Sequence, residues 1–243
     1  MISRPYMSAT PLSRMPQFDP RLVPVSGVDA HLPCVQAGAM TPAALGERFR
    51  SPPLWQPEVV KEGRFTDRAP AQAAVLIPLV MRGPDAGSLA VLMTERTAHL
   101  STHSGQIAFP GGRVDECDVD ATAAALREAH EEVGLEYRFV DVLGKLPVYV
   151  TGTAFVVTPV VALVHPGFAL QPNAFEVADV FEVPLAFLMN PANHRRHAFD
   201  WEGVRREWFS MPFTETQDGQ VRERYIWGAT AGMLRNFYRF LSA

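Results

Sequence analysis

Three glutamates lie close together on a predicted helix and have the spacing of a metal site. Glu128, Glu131 and Glu132 occupy positions i, i+3 and i+4, which share one side of an α-helix. Like charges at this spacing repel by about a few tenths of a kcal/mol per pair. A divalent cation removes that repulsion, and carboxylate oxygens suit Mg²⁺ or Mn²⁺. The alternative is a solvated acidic face, the usual meaning of such a charge cluster.

A glycine turn upstream favours the metal site over the solvated face. Pro110, Gly111 and Gly112 precede the helix, and bare glycine backbone can approach a ligand closely. A turn of this kind beside metal-binding carboxylates is suited to a pyrophosphate. Arg127 lies four residues before Glu131, so the sequence also predicts an ion pair between them.

The ends and the buried side of this helix can be predicted. Asp120 is expected to cap the amino terminus, and Gly134 to end the helix in the left-handed conformation. Leu126, Ala129 and Val133 fall on the side opposite the glutamates and are expected to pack on a core. The helix would therefore hold its carboxylates away from that core.

Two stretches of the sequence resemble the Nudix hydrolases. Residues 127–135 read REAHEEVGL and fit the second half of that family's signature at every fixed position. Residues 92–112 read LMTERTAHLSTHSGQIAFPGG and are similar to the coenzyme A pyrophosphatase branch of the family. The resemblance covers about two thirds of the chain, residues 73–241. The residues that match the branch signature are Leu92, Thr94, Arg96, Gly105, Phe109, Pro110, Gly111 and Gly112.

The chain departs from the general family pattern in a few places. The interval from Gly112 to Arg127 is one residue longer, and the coenzyme A branch carries the same extra residue. Asp118 stands where the general signature has a glutamate. Ser101 replaces an arginine of the branch, and Ala154 replaces a glycine. The metal-binding half of the signature is intact.

The resemblance implies metal-dependent hydrolysis of a phosphoanhydride, with Mg²⁺ or Mn²⁺ as cofactor. The implied substrate is coenzyme A or its thioesters, cut to 3′,5′-ADP and 4′-phosphopantetheine or its acyl form. Glu128 and Glu132, one helical turn apart, are the expected metal ligands, with Glu131 on a second ion or orienting water. The carbonyl of Gly112 would bind the metal, and Arg127 would hold Glu131 in place. The loop residue Glu176 is the expected general base. The expected substrate contacts are Arg96, His103, Gln106 and Gly111.

Two other functions are compatible with part of this pattern. A Nudix pyrophosphatase for ADP-ribose or a nucleotide sugar would keep the metal site and change the substrate, but the signature of residues 92–112 argues against it. A nucleotide-binding sensor without catalysis would also use the fold. The three glutamates argue against a sensor, as does the lack of a helix-turn-helix pattern.

Composition limits the class of protein further. The chain has 243 residues, of which 47% are hydrophobic and 20% charged, as expected for a soluble domain. A net charge of −4 gives no basic excess for nucleic acid. No apolar run has the length of a membrane span, and no signal peptide is apparent. Cys34 and Cys117 lack metal-ligand spacing, which favours reduced thiols and a cytoplasmic location. A homodimer is compatible with these features.

The order of predicted elements indicates an α/β protein with a mixed sheet. The family resemblance implies a Nudix-type α/β/α sandwich around a mixed β-sheet. Residues 1–70 hold 11 of the 21 prolines and are predicted to be an extension that packs on the domain of residues 71–243; a partner-binding arm is the alternative. Thr41 is expected to cap a short helix. Residues 73–80 and 89–94 are predicted to form a hairpin, and the alternation of aromatic and charged residues in 197–213 predicts a second one. A final amphipathic helix is expected at 225–241, with Tyr225 and Trp227 packing in the core; stacking of their rings on adenine is the alternative.

Overall fold

The structure is a computed structural model that describes residues 18–243 apart from 65, 84–87, 98–104, 202–203 and 218. The helices are α1 (Pro42–Arg50), α2 (Ala121–Val133), α3 (Leu185–Leu188) and α4 (Gly228–Ser242). The strands are β1 (Val25–Val28), β2 (Ala71–Arg82), β3 (Ser88–Arg96), β4 (Ile107–Ala108), β5 (Gly111–Arg113), β6 (Val140–Lys145), β7 (Tyr149–Val150), β8 (Phe155–Val164), β9 (Val177–Pro184), β10 (Arg195–Trp201), β11 (Val204–Gln217) and β12 (Gln220–Trp227).

A mixed eight-stranded sheet forms the centre of the fold. Its main order is β4-β3-β2-β8-β6, with β5 paired to β2, β7 to β8 and β9 to β3. The pair β2 and β8 is parallel, whereas the other pairs are antiparallel. The antiparallel pairing of β2 with β3 agrees with the predicted hairpin, whose turn at 83–85 lies mostly outside the described residues.

Helices cover both faces of this sheet, because β2 alternates its buried side chains between them. Ala74, Leu76 and Val80 pack in one cluster with the apolar side of α2. Ile77 and Leu79 point the opposite way and pack in a second cluster that contains α4. The predicted α/β/α sandwich around a mixed sheet is confirmed. No helix in the described ranges combines the length and apolar character needed to cross a membrane.

A second, antiparallel sheet has the order β1-β10-β11-β12 and was not predicted as a separate layer. The hairpin of β10 and β11 agrees with the sequence pattern, although its turn at 202–203 is outside the described residues. The prediction that the last helix starts at residue 225 is wrong. Tyr225, Ile226 and Trp227 complete the ladder with β11, and the helix begins at Gly228, whose φ of +62° turns the chain out of the strand.

The described part of the N-terminal segment packs along the rest of the chain. Strand β1 pairs with β10, and α1 begins after Thr41, whose hydroxyl accepts from the Ala44 amide as predicted. Leu45 of α1 is fully buried. Glu58 forms ion pairs with Arg235 and other arginines, which hold its pKa at about 2 against the opposing effect of burial. The predicted boundary at residue 70 stays a prediction.

Ala154, which stands where the branch has a glycine, lies in a conformation that favours glycine. Its φ is +67°, in the four-residue connection between β7 and β8. We expect Ala154→Gly to raise the free energy of unfolding by about 1 kcal/mol, because a Cβ in this region is strained. Denaturant unfolding measures the change. Ala162→Gly in the strand β8 is the control and should lower stability; a loss in both variants would contradict the argument.

Candidate active site

Helix α2 has the ends that the sequence predicts, and they fix the direction of its glutamates. The Asp120 carboxylate accepts from the Ala123 amide at 2.9 Å, and Gly134 ends the helix at φ +72°. Ala129 and Val133 are buried against the central sheet. Glu131 is exposed, while its neighbour Glu132 is not, so the glutamates do not form a single solvated face.

Glu132 is a buried carboxylate that touches the glycine turn. Only 5% of the residue is exposed, and its Oε2 accepts from the Gly111 amide at 3.2 Å. A guanidinium nitrogen of Arg96 lies 3.8 Å from Oε1. Burial raises the pKa of Glu132 to about 7; the Gly111 amide and Arg96 oppose the rise, and the charges of Glu176 and Glu128 add to it. Such a group is not part of a solvated acidic face.

Glu128 packs against the neighbouring glycine of the same turn. A Cβ added to Gly112 would lie 2.5 Å from the Glu128 carboxyl carbon, so only glycine leaves room for this carboxylate. Burial raises the pKa of Glu128, against the lowering effect of the Arg127 charge. The carboxylates of Glu128 and Glu132 therefore meet adjacent residues of one backbone turn.

Arg127 connects the carboxylates of the signature. One guanidinium nitrogen donates to Glu128 and to Glu131, each at 3.1 Å, which includes the expected pair with Glu131. Two other nitrogens donate to Asp118 at 3.0 and 2.9 Å. Asp118 thus provides a carboxylate partner for Arg127 at the place where the general signature has a glutamate. The sequence alone did not assign it this contact.

The donor set fits a hard divalent cation, although not as three converging carboxylates. Within the described ranges, no three His, Cys, Asp or Glu side chains form a metal-binding group. Glu131 is exposed and engaged by Arg127. Glu128 and Glu132, together with the backbone of Gly112, present oxygen donors around one turn, and burial makes their negative charges costly without a cation.

The remaining predicted residues lie around this turn or outside the described residues. Glu176 is close enough to Glu132 to raise its pKa by charge repulsion. Its backbone carbonyl accepts from the Thr97 amide at 3.0 Å, which ties its loop to the end of β3. Arg96 and Gln106 both line the adjoining pocket. His103 lies in the range 98–104, outside the described residues.

A pocket of about 420 Å³ adjoins the glycine turn. Arg96, Gly111 and Gly112 line it from the central sheet. Its other wall comes from the second sheet and includes Trp208 and Trp227. The sequence does not predict that Trp208 lies at the site, and it predicts that Trp227 packs in the core. Tyr225 is buried as expected, whereas Trp227 is only partly buried. The alternation of aromatic and charged residues in 197–213 predicts a hairpin, but it does not predict which face of that hairpin lies against the pocket.

Comparison with known proteins identifies the family. The NUDIX domain model matches residues 70–201, more than half of the chain. This chain belongs to the Nudix hydrolase family. An uncharacterised Nudix hydrolase, NudL, of Escherichia coli (strain K12) is 41% identical over 165 residues, which cover 68% of this chain and 79% of that protein. The NudL of Cronobacter sakazakii is 42% identical over 167 residues, with the same coverage of 68% and 79%.

Two solved Nudix structures are less similar in sequence to this Nudix hydrolase than the NudL proteins are. An Ap4A hydrolase of C. elegans is 22% identical, with a TM-score of 0.40 over 50% of this chain and 85% of that one. A MutT/nudix family protein from Enterococcus faecalis is 16% identical, with a TM-score of 0.41 over 72% and 63%. Similarity at this level does not indicate a substrate. Family membership itself means hydrolysis of pyrophosphate bonds, for which Nudix enzymes generally use divalent metal ions.

The paired glycines of this Nudix hydrolase predict two different mutant phenotypes. Gly112→Ala places its Cβ against the movable Glu128 carboxylate, so we expect a folded protein whose turnover falls by about a hundredfold through misplacement of that group. Gly111→Ala instead meets backbone, 2.4 Å from the Ala74 oxygen, and should lower thermal stability. Steady-state kinetics and melting curves compare the two. Full activity in folded Gly112→Ala would contradict the geometry.

Proposed function

We propose that this protein hydrolyses the diphosphate of coenzyme A or its thioesters, with Mg²⁺ or Mn²⁺, to 3′,5′-ADP and 4′-phosphopantetheine or its acyl form. The observation that supports this proposal most is the position of the branch signature. Arg96, Gln106 and Gly111, all within it, line a pocket whose wall includes the glycine turn. Glu132 and Glu128 contact Gly111 and Gly112 of that turn. Residues of the stretch that resembles the coenzyme A branch therefore lie beside the glycine turn, where we propose that the diphosphate is cut.

In this proposal the carboxylates of Glu128 and Glu132 and the carbonyl of Gly112 hold the metal. The bound ion would neutralise the diphosphate charge and lower the pKa of a coordinated water. Arg127 is a positioning residue, because its guanidinium fixes Glu128 and Glu131 from the side. Glu131, which is exposed, would orient water or hold a second ion.

Glu176 is proposed as the general base. Its loop ends at β9, beside Glu132, and Asn173 Nδ2 lies 3.5 Å from its Oε1, at the limit of a hydrogen bond. A carboxylate so weakly held can turn toward a water at the metal, which a general base must reach. Arg96, His103, Gln106 and the Gly111 backbone are proposed to contact the substrate, and the protein is proposed to act in the cytoplasm.

The test is incubation with coenzyme A, ADP-ribose and NADH in parallel, with Mg²⁺ or Mn²⁺, followed by identification of the products by mass. We expect 4′-phosphopantetheine and 3′,5′-ADP from coenzyme A, little turnover of the other two, and no turnover in the presence of a chelator. Turnover of ADP-ribose alone would retain the Nudix reaction and overturn the coenzyme A substrate. No turnover of any of the three by folded protein would favour another substrate or a sensor.

A further inference from the structure

The pocket has an aromatic wall that the catalytic signature does not supply. Trp208 of β11 and Trp227 of β12 lie on the same face of the second sheet, since Trp227 pairs with Ser210, two residues after Trp208. Their rings are 6.3 Å apart and inclined at 68°. Both side chains line the pocket and are only partly buried. The opposite face carries Phe209, which packs in the core. Trp208 is already stacked on His197, with ring centres 5.5 Å apart, whereas Trp227 meets Phe18 and Trp208 only at inclined angles. Among the described residues no ring is stacked on Trp227, so its indole is the one available to a flat base.

A positive charge lies on the pocket wall next to the glycine turn. Arg113 follows Gly112 directly in β5, is exposed, and has its guanidinium 5.6 Å from the centre of the Phe155 ring. Among the described residues, no carboxylate forms an ion pair with Arg113. Arg205 lines the same pocket but is paired with Glu207 at 3.0 Å and with Asp200 at 3.4 Å. Arg113 thus retains its donors for an anion, and a guanidinium suits phosphate.

We propose that this wall binds the 3′-phosphorylated adenosine end of the substrate, with the base against the indole of Trp227 and the 3′-phosphate on Arg113. The inference rests on the proposed function, because the diphosphate must lie between this end and the metal carboxylates. A flat base and a phosphomonoester match an aromatic surface and an unpaired cation. The pantetheine end offers neither group. A volume of about 420 Å³ falls within the usual size of ligand pockets.

Binding of the reaction products tests this subsite without turnover. Calorimetry with Mg²⁺ would measure adenosine 3′,5′-bisphosphate, 5′-AMP and 4′-phosphopantetheine on the full chain. We expect the bisphosphate to bind about tenfold or more tightly than 5′-AMP, because one charge-assisted contact is added. Arg113→Met should abolish that difference. Arg205→Met, which removes a cation already paired with carboxylates, is the matched control and should preserve it.

The tryptophan is tested by a pair of variants. Trp227→Leu should weaken both nucleotides by about tenfold and leave their ratio unchanged, whereas Trp227→Phe keeps a flat ring and should bind both nearly as wild type does. Binding of 4′-phosphopantetheine should not change in either. Equal affinity of the wild type for the two nucleotides would overturn the subsite, as would equal losses in Arg113→Met and Arg205→Met.

The experiments distinguish failure of the proposed reaction from failure of the proposed adenosine subsite. Hydrolysis of coenzyme A by a protein that does not prefer the bisphosphate would keep the proposed function and remove this subsite. Preference for the bisphosphate that depends on Arg113, in a protein that does not cut coenzyme A, would keep the subsite and remove the reaction. Both results come from the same folded preparations, so neither can be confused with loss of structure.

Discussion

Glu132→Gln is expected to lower turnover by about a thousandfold and to leave the fold intact. Metal stabilisation of the transition state is worth several kcal/mol, and about 1.4 kcal/mol is a factor of ten in rate. The amide oxygen of glutamine can still accept from the Gly111 amide, so the contact with the turn remains. Glu128→Gln should show a similar loss. Saturation kinetics with coenzyme A and circular dichroism separate the two effects.

The control for this loss is Glu136→Gln. Glu136 lies just beyond the end of α2, is exposed and pairs with Arg138, so its substitution removes a nearby charge without touching the turn. Its turnover should equal that of the wild type. Unchanged turnover in Glu132→Gln, or an equal loss in the control, would remove Glu132 from the proposed metal site.

Glu132→Gln should also stabilise the metal-free protein at neutral and higher pH. The pKa of Glu132 is about 7 in the folded chain, chiefly through burial, against an ordinary 4.5. The folded state therefore keeps a proton that the unfolded state loses as pH rises from 4.5 to 7. The contribution of Glu132 to the free energy of unfolding of the wild type falls by about 3 kcal/mol across that interval and then stays level. The glutamine variant avoids this loss, so its advantage grows with pH.

Denaturant unfolding in the presence of a chelator measures this effect. Near pH 4.5 the free energies of unfolding of wild type and variant should agree, and near pH 8 the variant should be more stable by about 3 kcal/mol. Adding Mn²⁺ at pH 8 should raise wild-type stability and close the gap, because the ion binds only the folded wild-type site. A gap of the same size at both pH values would mean that the difference arises from packing and not from a buried charge.

Helix α2 could be predicted closely because its information is local. Asp120 and Gly134 act on backbone groups within one turn, and the alternation of alanine, leucine and glutamate sets the buried side. The same holds for the cap at Thr41. The nearness of Glu128 and Glu132 to the glycine turn also follows, since the turn and the helix lie next to each other in the chain.

The parts that the sequence did not predict depend on contacts between distant segments. The apolar pattern of 225–241 suits a helix, yet Tyr225 to Trp227 pair with β11, and tertiary pairing overrides local pattern there. Burial of Glu132 could not be separated from exposure of Glu131 by helix position alone. The aromatic wall of the pocket depends on which face of the second sheet meets the site. That choice is made by packing between sheets and has no short sequence signal.

The most direct test of the central claim is Mn²⁺ binding by the folded protein without substrate. Electron paramagnetic resonance can titrate free Mn²⁺ in the wild type, Glu128→Gln, Glu132→Gln and the control Glu136→Gln. The proposed site predicts binding by wild type and control, and affinities at least about tenfold weaker in the other two, since each loses a charged ligand. Equal binding by all four proteins would contradict a metal site built from these carboxylates.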